Sequence, residues 1–158
     1  MNRIIKRIGG WLAASLATVI TGVGFQTQNV IAKLGGIGAD IGLGERLTMT
    51  GYDIVHLGSL YILFIGIAFA VAFLAGGLLF RLTKFGRLLI YMVAGATALL
   101  IMLLLMKEVF FNTHIIAGAR DAFGLGLQML AGALGGFVFA RVSRTKEKGL
   151  REQRGRPL

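Results

Sequence analysis

The residues able to do chemistry in this 158-residue chain stand at the ends of its apolar runs. Asp53 and His56 open one long run, Lys107 and Glu108 close a second, and His114, Arg120 and Asp121 precede a third. On a helix His56 follows Asp53 on the same face, roughly 4–5 Å further along the axis. A carboxylate beside an imidazole at a membrane edge could relay a proton or contact a ligand, and an ionisable group inside a span is a functional candidate by default. The plainer reading is an interfacial histidine paired with Asp53 or with a backbone carbonyl. Asp53, His56, Glu108 and Asp121 are the proton or ligand candidates.

Other chemistries fit less well. A haem needs axial ligands, and His56 and His114 are the two histidines, one on a helix and one on a short connection. Zinc needs three or four ligands that this spacing does not supply. The absence of cysteine excludes disulfides, thiolate nucleophiles and iron–sulfur clusters. Ser15 and Ser59 lie within apolar runs and outside any nucleophile-elbow pattern. Glu108 and Asp121 could form a carboxylate pair, but Lys107 and Arg120 beside them point to helix-end salt bridges that fix a hairpin. No catalytic residue, metal or cofactor is assigned.

These residues are placed by the apolar runs themselves. Ile54–Phe80 carries no Asp, Glu, Lys or Arg over 27 residues. As a helix it would measure about 40 Å, against a bilayer core of about 30 Å. Leu88–Met106 and Ala122–Ala140 each run 19 residues without charge. A basic start, Arg3, Lys6 and Arg7, leads into Ile8–Phe25, and Gln26–Asn29 then form a polar collar. The basic start resembles a secretory signal peptide, but no small-x-small site follows and Trp11 sits where an interfacial anchor would. A retained first helix is expected.

The expected fold class is an all-α integral membrane protein, a four-transmembrane-helix bundle with spans at about 8–30, 53–80, 88–106 and 122–140. Residues 1–142 form the transmembrane domain; 143–158 form a basic tail, expected to be disordered or to lie on the membrane surface. Lys33–Asp53 reads as a flexible, glycine-rich outer loop, neither a Walker loop nor a dinucleotide fingerprint. Thr50, with Asp53 three residues later, predicts that the second helix starts there.

A net charge of +10 would suggest nucleic acid in a soluble protein. With four spans, however, the charges sort by side. The two termini and the Arg81–Arg87 turn hold thirteen basic and two acidic residues, and the opposite side four basic and five acidic. By the positive-inside rule both termini are cytoplasmic. The expected partners are anionic lipid headgroups at that face, not nucleic acid.

Glycine, at 24 residues, falls in rows. Gly124, Gln128, Gly132 and Gly136 recur every fourth residue on one helical ridge. Ala68, Ala72 and Gly76 form a second row, and Gly10, Ala14, Thr18 and Gly22 a third. Small residues at this spacing let helices approach closely in lipid. Gln128, near mid-membrane, should face protein, where its amide can be hydrogen-bonded. Gly76-Gly77 before Arg81 and Gly135-Gly136 before Arg141 look alike, which shared boundary physics explains more cheaply than a repeat.

The leading expectation is a small polytopic protein of the bacterial inner membrane, a non-enzymatic accessory or structural subunit. It would pack through its glycine ridges with itself, as a homo-oligomer, or with a larger membrane complex. The alternatives are a small transporter or proton-coupled module using the outer-end cluster, and a haem-binding or enzymatic membrane protein.

Overall fold

The computed structural model describes residues 3–83, 86–109 and 121–143. Among these residues four helices follow one another: α1 (Arg3–Gly36), α2 (Leu43–Thr83), α3 (Arg87–Val109) and α4 (Ala122–Val142). All four are long and apolar enough to cross a membrane, and no strand occurs among the described residues. Each helix packs on its neighbour in sequence, and α4 returns against α1 to close the ring.

α1 and α2 are longer than the sequence expectation. The supposed loop Lys33–Asp53 is mostly helix, and only residues 37–42 connect the two. Gly38 takes the left-handed conformation, φ +92°, that a terminating residue needs and that glycine adopts without a Cβ penalty. Its N–H donates to the Gly35 carbonyl and the Ala39 N–H to Leu34, a Schellman closure that satisfies the last carbonyls of α1. α2 then begins at once. The Glu45 carboxylate accepts from the Gly42 N–H at 3.2 Å, satisfying a donor that the first turn leaves open.

The predicted start at Thr50 is therefore corrected. Thr50 lies inside α2, its hydroxyl donating to the Arg46 carbonyl one turn back (2.7 Å), and Asp53 caps nothing. A Thr with an acid three residues on imitates a capping box, yet the same hydroxyl can bond within a continuous helix. Trp11 also ties α1 to α2, its indole Nε1 donating to the Gly66 carbonyl at 3.0 Å.

The core is layered along the bundle. Toward the end where α2 and α4 finish, Phe69, Phe73, Tyr91 and Phe139 form one aromatic cluster, with Phe73 stacked on Phe139 at 4.2 Å between ring centroids. Aromatic pairs at such distances add to what their burial contributes. Toward the opposite end the packing is aliphatic, with Val23, Leu99, Met102, Leu103 and Met106 buried.

Candidate functional site

Between these layers lies a polar seam. Gln128 on α4 is 1% exposed, and both halves of its amide are engaged. Its Nε2 donates to the Gly22 carbonyl of α1 at 2.9 Å, and its Oε1 accepts from the Tyr61 hydroxyl of α2 at 2.9 Å. One side chain thus joins three helices. Gly22 gives the amide room, because a Cβ at that position would stand 2.9 Å from Oε1 and push it aside. One turn along α1, the buried Thr18 hydroxyl donates to the Ala131 carbonyl at 3.3 Å. These groups are neutral and pair with one another, so the seam can lock helices but holds no charge to transfer. Gln128 was legible as a protein-facing amide; Tyr61 was missed, although a tyrosine deep in an apolar run needs a partner for its hydroxyl.

The glycine rows face inward. Gly132 packs backbone to backbone on Gly95 of α3, and Gly136 on the Tyr91–Met92 backbone, leaving no room for a Cβ at any of these glycines. Gly135 meets Thr18 and Phe69, and Gly124 is buried as well. On α2, Ala68 and Ala72 pack against the core, and Gly76 faces Tyr91 and Ala94 of α3. On α1, Gly10 lies against Phe139 and Ser143 of α4. All three rows serve contacts within this chain.

The outer-end candidates do not converge. Asp53 accepts from the Thr27 hydroxyl of α1 at 2.8 Å, and Asp121 pairs with Lys33 of α1 at 3.0 Å. His56 turns away from Asp53. Its Nδ1 lies 3.0 Å from the Tyr52 carbonyl, and its ring stacks on Tyr52 at 3.8 Å. His56 and Glu108 are exposed. His114 and Arg120 lie outside the described residues. Among the described residues no three His, Asp or Glu side chains could hold one metal ion.

Of the charges expected to fix the α3–α4 hairpin, Asp121 pairs with Lys33 and joins α4 to α1, while Arg120 lies outside the described residues. Lys33 holds the Asp121 carboxyl below its usual range, chiefly through their hydrogen bond. No protein-family model, curated protein or solved structure matches the chain, so its function has to be argued from these residues alone.

Proposed function

We propose that this chain is a multi-pass protein of the bacterial inner membrane, both termini cytoplasmic, acting as a non-enzymatic structural subunit that pairs with a second copy through its outer α1–α2 hairpin. Orientation follows from charge. Arg7, Arg81, Arg87 and Arg141 mark one end of the bundle, while Asp40, Glu45, Asp53, Glu108 and Asp121 mark the other. Basic residues collect on the cytoplasmic side.

The carrying observation is the outer part of α2. The helix has 41 residues, about 60 Å, roughly twice the hydrocarbon core. Ile54–Phe80 alone suffices to cross, so Leu43–Asp53, with Glu45 and Arg46 in it, emerges beyond the membrane. There Leu43 is 81% exposed and Leu47 75%, on a row that Gly51 and Val55 continue. Ile37 and Tyr52 are exposed beside it. An apolar row standing in water marks a protein contact. The hairpin also carries Arg46 against Asp40 and Glu45, a mixture that a two-fold pairing can set against itself, while Lys33 and Asp53 are engaged within the chain. With the glycine rows used internally, this row beyond the span supports assembly through the hairpin.

Light scattering on protein purified in mild detergent tests the proposal. A mass of twice 16.9 kDa, falling to one chain when Leu43 and Leu47 become Glu, is the expected result. A wild-type monomer would overturn it; a co-eluting polypeptide would move the occupant to a larger complex. A visible absorption band would overturn the non-enzymatic reading.

A further inference from the structure

The opposite end of the bundle holds a crevice of about 1190 Å³ among all four helices. Four arginines line it, one from each helix: Arg7, Arg81, Arg87 and Arg141. Among the described residues the one ion pair is Lys33–Asp121, at the far end, so none of these guanidinium groups has a carboxylate partner there. The floor is aromatic, built from Trp11, Phe73, Tyr91 and Phe139. The rim carries Leu74 and Leu78, both exposed on the outward side of α2.

We infer that this crevice is a binding site for an anionic phospholipid, its headgroup phosphate among the arginines and an acyl chain along the aromatic floor. The inference rests on the membrane reading above. Arg87 is already positioned: its Nη2 donates to the Ser143 hydroxyl at 2.7 Å, and its guanidinium lies 5.5 Å from the Tyr91 ring centre. Guanidinium groups suit phosphate because their paired N–H donors match its oxygens. The crevice also includes Gly86, Arg87 and Leu88 at the start of α3, a helix end whose dipole favours negative charge and whose first turn contains no acidic side chain.

Three features select a lipid over a soluble anion or a peptide. A phosphate ion would leave the aromatic floor empty, whereas an acyl chain covers it. The rim leucines continue the lipid-facing side of α2, so a chain can enter from the bilayer. The chain's own tail would add charge of the same sign, since residues 144–158 hold six basic and two acidic side chains. Basic pockets between transmembrane helices at the cytoplasmic face are suited to anionic headgroups.

Trp11, the single tryptophan, lines the crevice and reports on it. The full chain is reconstituted into phosphatidylcholine vesicles containing a minor fraction of phosphatidylglycerol, and one or the other lipid carries brominated acyl chains. Brominated phosphatidylglycerol should quench Trp11 more than brominated phosphatidylcholine at the same mole fraction. Arg81→Gln, an exposed change, should weaken this preference about fivefold, and Arg87→Gln by a similar factor. Helical content and elution volume establish that each variant is folded. Equal quenching by both lipids would overturn the inference, as would an undiminished preference in folded Arg81→Gln. Loss of the preference on adding millimolar inorganic phosphate, at constant ionic strength, would assign the site to a free anion instead. Protein that alkaline carbonate strips from the vesicles would fail the membrane reading itself, whereas inserted protein without a preference fails this inference alone.

Discussion

Gln128 shows how one polar residue can organise an apolar bundle. An unpaired amide in hydrocarbon is costly, so the helices settle where the Tyr61 hydroxyl and the Gly22 carbonyl both meet it. Hydrogen bonds between membrane helices contribute modestly, but an orphaned buried partner costs more. Gln128→Leu strands the Tyr61 hydroxyl, while the Gly22 carbonyl keeps its bond within α1, and should destabilise the fold by about 2 kcal/mol. Tyr61→Phe strands only the amide oxygen and should cost about 1 kcal/mol. Because the two share one interaction, the double variant should lose less than the sum of the singles. Unfolding in mixed micelles, followed by helicity, measures all three, and additive losses would mean that the seam does not act as a unit. Ser15 is the contrasting case. Its hydroxyl is buried without a hydrogen-bond partner, so Ser15→Ala should match or exceed the wild type in the same assay.

Between helices, the glycines divide into two kinds that the sequence could not separate. Gly132 and Gly95 touch backbone to backbone, while nothing lies within 4 Å of a Cβ placed at Gly24 or Gly126. Gly132→Ala drives a methyl into a carbonyl that cannot step aside and should cost about 3 kcal/mol. Gly126→Ala finds open space and gains helix propensity, up to about 1 kcal/mol. Thermal unfolding in detergent ranks the two, and similar values would sink the internal-packing account. Four-residue spacing marked the α4 ridge from sequence but not its partner, because a helix face looks the same whether it meets its own chain or another. The uncharged runs likewise made four spans legible without locating their ends. α2 starts at Leu43 because Gly38 and Glu45 make a tight connection there, and the Thr50–Asp53 pair, which looked like a start, engages the helix interior and Thr27. The outer acids were legible as a set, but their partners on α1, Thr27 and Lys33, are distant in sequence. The Lys33–Asp121 tie also predicts a pH dependence. A carboxyl held below its ordinary range contributes above that range and loses its contribution as pH falls through the lowered value. Asp121→Asn should therefore differ slightly from wild type at neutral pH, and the gap should close in acid; a gap that widens in acid would reverse the assignment.

For the molecule as a whole, the two ends are chemically opposite, and both the proposed assembly surface and the proposed lipid site rest on this polarity. Every arginine of the crevice stands where α1 and α3 begin and α2 and α4 end, while the described acids stand at the other end. The proposed orientation rests on this asymmetry, since basic residues are generally retained on the cytoplasmic side. Because the chain has no cysteine, single cysteines can report each end without further engineering. Asp40→Cys lies in the α1–α2 connection and should react with an impermeant maleimide added to intact inner-membrane spheroplasts. Gly86→Cys, open and just before α3, should react only after the membrane is permeabilised. The reverse pattern would place the hairpin in the cytoplasm and the arginines on the outer leaflet. It would leave the fold intact but remove the argument for an outer docking hairpin and put the crevice against the wrong lipid surface. Labelling of both sites in intact spheroplasts would mean that the bundle is not held across the membrane, and the proposals at both ends would fall together.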